Sequence, residues 1–222
     1  MNRNDFSTPR GGKPSRAMGF TLVELLVVIA IMGIVASMVL GLAGMAGASE
    51  RRKRVVAQRD QLITAIEAYK KEHGFYPPDN TNNAALPPLF YELRGGTINA
   101  GTYSGVFSNI TSADYLRVFG HSGIANSKPT LDPNDRESEK PKDHIAGVRP
   151  QQSTNILVTL SPGPDLWVMF FTVGIESVQG GDFKTNTWRY VSSNPVHNVG
   201  HFDLWADIII KGKPEVIGNW NQ

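Results

Sequence analysis

The stretch that decides the fold is "MGFTLVELLVVIAIMGIVASMVLG", residues 18–41. Its one charged residue is Glu24, and the next charge along the chain is Glu50. A helix over residues 20–42 would be roughly 35 Å long at about 1.5 Å per residue, which is enough to cross the hydrocarbon core of a bilayer. The sequence therefore predicts a transmembrane helix over 20–42 that carries a single acid near its start.

Both flanks of this apolar run are basic. The polar segment ahead of it, residues 1–19, contains the charged residues Arg3, Asp5, Arg10, Lys13 and Arg16. The segment "ERRKR" at 50–54 adds further basic residues behind it. Lys and Arg tend to stay on the cytoplasmic side of a membrane, so two basic flanks leave the orientation open. We expect 50–54 to form a solvated collar at the lipid headgroups or, alternatively, salt bridges between packed subunits in which Glu50 and Asp60 take part.

Three interpretations of the apolar run are possible, and they differ in the role that they give to Glu24. An uncleaved anchor fits the length but gives the acid no role. A secretory signal fits the small residues Ala46 and Ala48, but its apolar region would be only about 7–15 residues long. Cleavage between Gly19 and Phe20 would instead create an α-amine, largely cationic near neutral pH, as a partner for Glu24 of a neighbouring subunit. Because an ionisable group in a membrane segment is costly, it usually has a partner and a role.

The sequence "GFTLVELLVVIAIMGIVA", residues 19–36, resembles the class III signal of type IV pilins and type II secretion pseudopilins. The shared features are the glycine at the cut, the aromatic first residue, the Thr-Leu-x-Glu spacing and the apolar run. The resemblance implies that a prepilin peptidase removes residues 1–19 as a cytoplasmic leader by cutting between Gly19 and Phe20. It also implies that Phe20 becomes N-methylated and that Glu24 is required for assembly into a filament.

The composition excludes several functions. The 222 residues leave room for one globular domain, and the absence of cysteine excludes disulfides, thiolate metal ligands and cysteine nucleophiles. A net charge of +2 gives no case for nucleic-acid binding. The sequence contains no nucleophile–base pair, phosphate-binding glycine loop or paired carboxylates of the kind that catalysis requires. We therefore expect that the chain is not an enzyme.

Apolar residues continue at helical spacing after the run and predict an amphipathic continuation of the helix over 43–74. The apolar stripe consists of Val55, Leu62, Ile66 and Tyr69. Arg59 interrupts the stripe, so we expect the first turns of the stripe to project from the globular domain. Gly74, followed by two prolines, predicts the end of the helix.

The remainder, residues 75–222, predicts a periplasmic globular domain. Short helices are expected within 86–96 and 111–120, and a charged, proline-rich exposed loop over 127–150. Strands are expected at 155–160, 166–173, 185–193 and 201–210. The predicted fold class is thus α+β, with a long N-terminal helix packed on a small C-terminal antiparallel β-sheet.

The end of the chain, "FDLWADIIIKGKPEVIGNW" at 202–220, resembles the end of the major pseudopilins of type II secretion. In that family an acidic loop in this region binds calcium, and the resemblance makes Asp203, Asp207 and Glu215 the candidate ligands. Here the loop is shorter, less acidic, and carries Lys211 and Lys213. We therefore expect the acids to be solvated or paired with these lysines, with calcium binding as the alternative and no other cofactor.

The histidines give no metal prediction. His197 and His201 are four residues apart, but Gly200 and a nearby proline argue against a helix, and the glutamate of a metalloprotease motif is missing. The other three, His73, His121 and His144, are scattered along the chain. We expect no zinc site from the sequence.

The function implied by the resemblance is that of a structural subunit. The chain would be a single-pass protein of the bacterial inner membrane that assembles into a periplasmic filament for type II protein secretion. Its partners would be further copies of itself, minor pseudopilins, the prepilin peptidase, the inner-membrane assembly platform and membrane lipid, with no nucleic acid. The alternatives are a type IV pilin for adhesion, motility or DNA uptake, and an anchored or secreted binding module.

Overall fold

The computed structural model describes residues 20–130, 140–147, 152–159, 163–178 and 184–220, without the side chains of 39–46. The predicted leader, residues 1–19, lies outside the described residues, as does much of the predicted loop over 127–150. The chain divides into two compact units, residues 1–46 and 47–222.

A single long helix, α1, spans Leu22–His73. Its acidic first turn holds Glu24, and its last turn holds Lys70, Lys71 and His73, which is the charge distribution that the helix dipole favours. The helix ends at Gly74, whose φ of 82° an L-residue rarely adopts and whose N–H donates to the carbonyl of Lys70. Within the described residues, no helix combines the length and the hydropathy that crossing a membrane requires.

The part of α1 that belongs to the second unit packs one face into the core. Its buried apolar side chains are Val55, Leu62, Ala65, Ile66 and Tyr69. Arg59 lies on the same face and is also buried, with its Nη1 donating to the carbonyl of Gly218 at 2.9 Å and a salt bridge to Asp60. The prediction that Arg59 marks a projecting part of the helix was therefore wrong. A backbone carbonyl and an adjacent carboxylate satisfy the guanidinium, so the stripe continues past it.

The second unit contains two short helices and nine strands among its described residues. In chain order they are α2 (Leu89–Arg94), β1 (Gly96–Asn99), β2 (Thr102–Ser104), β3 (Ile110–Thr111), α3 (Ser112–Phe119), β4 (Ser127–Pro129), β5 (Ser153–Val158), β6 (Leu166–Phe171), β7 (Arg189–Val191), β8 (Asp203–Ile210) and β9 (Lys213–Gly218). The α+β class is confirmed.

The described strands form three sheets rather than the one that the sequence predicted. Their orders are β3-β2-β1-β4, β5-β6 and β7-β8-β9. All pairs are antiparallel except β1 and β4, where Gly96 pairs with Ser127 in parallel. In the third sheet Trp205 of β8 pairs with Arg189 on one side and Gly218 on the other, so β8 is the central strand.

Short helices occur within both ranges that the sequence predicted, and the strands predicted at 155–160 and 166–173 pair as β5 and β6. The α3 helix shows how such a short helix is delimited. Thr111 is its N-cap, with Oγ1 accepting from the N–H of Asp114 at 3.1 Å. Gly120 ends it in the left-handed conformation, with φ 78°. Both residues lie within the range 111–120 that the sequence predicted to contain this helix.

The loop that was predicted after β8 is a tight hairpin turn. Lys211 and Gly212 have φ of 54° and 72°, and β8 and β9 pair directly on either side of them. Positive φ at both central residues defines the type I′ turn, which matches the twist of two antiparallel strands. The region around Glu215 is therefore strand and not loop.

The predicted exposed loop over 127–150 is partly built into the domain. Its first residues form β4, and Ile145 is buried in the core. The His144 N–H donates to the carbonyl of Leu93 at 2.8 Å, and Arg94 forms a salt bridge with Asp143 at 2.8 Å. Residues 140–147 thus pack beside the end of α2.

Candidate functional site

The first turn of α1 is held by a reciprocal cap between Thr21 and Glu24. The Glu24 Oε2 accepts from the Thr21 N–H at 2.9 Å and from its hydroxyl at 2.7 Å, while the Glu24 N–H donates to Thr21 Oγ1 at 3.3 Å. A threonine followed three residues later by glutamate is the capping-box pattern of helix starts. These bonds engage only one carboxylate oxygen, so Glu24 retains acceptor sites for a further donor.

Phe20 stands immediately before this cap and is 81% exposed. The bond after Gly19 itself lies outside the described residues. Cleavage there would place the α-amine of Phe20 next to the Thr21–Glu24 cap. The predicted processing point and the predicted assembly residue therefore belong to the same end of α1.

Large apolar side chains cover the following turns of α1 and remain exposed. They are Leu22, Val23, Leu25, Leu26, Val27, Val28, Ile29, Ile31, Met32, Ile34, Val35 and Met38. An exposed apolar surface of this extent indicates contact with lipid or with another protein. Among them the Ser37 hydroxyl donates to the carbonyl of Ile34 at 2.7 Å, so its polar group is satisfied within the helix.

Asp203, the first of the three predicted calcium ligands, is a buried anchor for the preceding loop. Its carboxylate accepts from the N–H groups of Val196, His197 and Asn198 at 2.7–2.9 Å. Although burial alone would raise the pKa of Asp203, these N–H groups favour the charged form and hold the pKa below its usual range. The geometry gives this acid a structural role.

The other two predicted ligands pair with arginines rather than with the lysines. Asp207 on β8 lies 3.3 Å from Arg189 on β7, and Glu215 on β9 lies 2.5 Å from Arg52 on α1. The latter pair ties the basic segment 50–54 to the sheet, and Arg54 in that segment pairs with Glu50. Within the described residues, the carboxylates of these three acids do not lie close enough together to form a metal site.

Calcium binding therefore stays the alternative, and we expect added calcium to have little or no effect on stability. A ligand that binds only the folded state raises stability by mass action. Calcium requires six to eight oxygens, whereas these three carboxylates have other partners. The soluble portion from about residue 49 should show no change in its melting temperature at millimolar calcium. A clear, saturable rise that Asp207→Asn removes would show that the acids rearrange into a site.

A buried carboxylate that the sequence did not predict joins three helices. Glu92 on α2 accepts from the hydroxyls of Tyr69 on α1 and Tyr115 on α3, at 2.9 and 3.0 Å. It also accepts from the N–H groups of Ala125 and Asn126, at 3.0 and 3.2 Å. Burial and the nearby Glu92 raise the pKa of both tyrosines, so each keeps its proton as a donor.

The comparisons with known proteins concern mainly the N-terminal part of the chain. Residues 16–40 match the family model of the prokaryotic N-terminal methylation motif, and this match includes Gly19, Phe20 and Glu24. The chain therefore carries the N-terminal methylation motif across the start of α1. The resemblance to pilins and pseudopilins that was seen in the sequence is confirmed there.

More particularly, the chain is similar to the type II secretion system core protein G of two bacteria. It is 42% identical to that of Klebsiella michiganensis over 69 residues, which are 31% of this chain and 48% of the relative. It is 39% identical to that of Klebsiella pneumoniae over 73 residues, which are 32% of this chain and 51% of the relative. The chain spans about half the length of the curated relatives it matches. No solved structure matches it.

Proposed function

We propose that this chain is a pseudopilin-like structural subunit that assembles into a periplasmic filament for type II protein secretion. The observation that carries the proposal is the first turn of α1. There an exposed Phe20, the Thr21–Glu24 cap and a long exposed apolar surface coincide with the N-terminal methylation motif. The naming of the relatives as secretion-system core proteins, and not as enzymes, agrees with a structural role.

In this proposal a prepilin peptidase cuts after Gly19 and Phe20 becomes the methylated first residue. Residues 20–42, which contain a single charge, would form the membrane segment. The subunit would sit in the inner membrane with residues 75–222 in the periplasm. On assembly, the free acceptor sites of Glu24 would receive the α-amine of an adjacent subunit, which offsets the burial of both charges.

The proposed partners follow from this sequence of processing, membrane insertion and assembly. They are other copies of the chain, minor pseudopilins, the prepilin peptidase, the inner-membrane assembly platform and membrane lipid. A type IV pilin is the second candidate, because the matched motif is common to pilins and pseudopilins. The similarity to two secretion core proteins favours the pseudopilin.

Filament formation tests the proposal. Co-expression of the chain with a type II secretion machinery should yield sheared fibres that antibodies against residues 47–222 label along their length. The matched control omits the prepilin peptidase and should leave the chain in the membrane without fibres. A chain that stays dispersed although the machinery assembles fibres of its own subunit would contradict the proposed role.

A further inference from the structure

Three side chains with metal-binding atoms meet where the last turn of α1 faces residues 140–147. Glu72 and His73 come from the helix, and His144 comes from the facing segment. Their ligand atoms all lie within 4.8 Å of one another. The two imidazole rings are 5.7 Å apart between centroids, at 64°. No other group of three such side chains occurs in the parts of the chain that the structure describes.

The two histidines have buried ring nitrogens without a hydrogen-bond partner in the structure. These atoms are Nε2 of His73 and Nε2 of His144. A buried polar atom is normally satisfied, so an unpartnered nitrogen on each of two neighbouring imidazole rings points to a ligand at this place.

Contacts with neighbouring residues hold the two histidines in position when no ligand is bound. The Tyr69 ring packs against His73 and His144, with centroid distances of 4.2 and 5.4 Å. The backbone of His144 is bonded to Leu93, and Asn126 Nδ2 donates to the carbonyl of Lys142 at 2.8 Å. Both histidine-bearing segments are therefore fixed by contacts that do not involve the imidazole nitrogens.

We propose that His73, His144 and Glu72 bind a divalent transition metal ion, with zinc as the best match. Two imidazole nitrogens and one carboxylate oxygen, with water as a fourth ligand, are a donor set that zinc accepts at about 2.0–2.2 Å. Tetrahedral ligands at that distance are about 3.4 Å apart, so small side-chain rotations complete the geometry. Calcium, which requires oxygen donors, does not fit. The bound ion joins the end of α1 to residues 140–147.

Lys142 competes with the metal for Glu72. Its Nζ forms a salt bridge with the Glu72 carboxylate, on the wall of a cavity of about 620 Å³ that Lys128 and Lys140 also line. The pair is largely exposed, and exposed ion pairs contribute little to stability. Zinc can therefore displace the ammonium, and removal of Lys142 should strengthen zinc binding.

Zinc titration of the full chain, purified in detergent without a histidine tag, tests the site. Calorimetry should show one zinc ion per chain. His144→Ala and Glu72→Gln should each weaken binding by about tenfold or more, while Lys142→Gln should tighten it several-fold. The matched control His201→Ala removes a histidine outside the site and should change the affinity less than twofold.

Tryptophan fluorescence should first establish that each variant is folded. Glu72 and Lys142 are at the surface, so their variants carry the test even if His144→Ala does not fold. No stoichiometric zinc binding would overturn the proposal. It would also be overturned by equal affinities of the wild-type, Glu72→Gln and Lys142→Gln chains, or by a loss of binding in His201→Ala.

Discussion

Glu24→Val is expected to abolish filaments while the subunit remains in the membrane with its globular domain folded. Valine is easier to place in lipid than a carboxylate, so insertion should not suffer. The unit that folds around the sheets, residues 47–222, does not include position 24. What the variant loses is the acceptor for the α-amine of a neighbouring Phe20. The measurement is the yield of sheared fibres from co-expression, with the membrane level of the subunit scored separately.

Two further variants separate the charge of Glu24 from its part in the helix cap. Glu24→Gln preserves a capping box, because glutamine also serves at that position, but it removes the charge. It should lose filaments as Glu24→Val does. Ser37→Val replaces a different polar residue of the same apolar run and should assemble normally. Normal fibres from Glu24→Gln would assign the acid to the helix cap alone, and loss of the subunit itself would indicate a role in insertion.

Glu92→Gln is expected to destabilise the globular unit by about 2–4 kcal/mol. The carboxylate accepts one tyrosine hydroxyl and one backbone N–H on each oxygen. Glutamine has one acceptor oxygen, and its NH₂ group must face the other pair of donors. A tyrosine hydroxyl can rotate to accept, but a backbone N–H cannot. One buried N–H therefore loses its partner in either orientation of the amide.

Thermal unfolding followed by tryptophan fluorescence measures this effect, since all four tryptophans lie in the globular unit. A loss of this size lowers the midpoint by roughly 4–16 °C for a unit of this length. The control Glu67→Gln changes an exposed glutamate of α1 and should stay within about 0.5 kcal/mol of wild type. Equal stability of the two variants would contradict the role assigned to Glu92.

The elements that the sequence predicted have local causes. The α3 helix begins at a threonine cap and ends at a glycine, and the β5–β6 hairpin brackets a Ser-Pro-Gly-Pro-Asp stretch. The strands of the first sheet were not predicted because they are two to four residues long and lack apolar alternation. The turn at Lys211 and Gly212 was missed because lysine is an unusual residue for positive φ.

The polar interior could not be predicted because it is assembled from distant parts of the chain. Glu92 is bonded to side chains of α1 and α3, and His73 meets His144 only after residues 140–147 pack beside α2. The same holds for Arg59, whose burial depends on a carbonyl at Gly218. By contrast, the group at Gly19, Phe20 and Glu24 is contiguous, so its pattern was complete in the sequence.

The intact mass of the chain recovered from sheared fibres tests the central claim most directly. If the first turn of α1 is the processed end of a filament subunit, the chain should begin at Phe20 and carry one methyl group on its α-amine. A chain that begins at Ser49 would establish an ordinary secretory signal. A chain that keeps residues 1–19 in the fibre would contradict processing at Gly19, and with it the pairing of the new amine with Glu24.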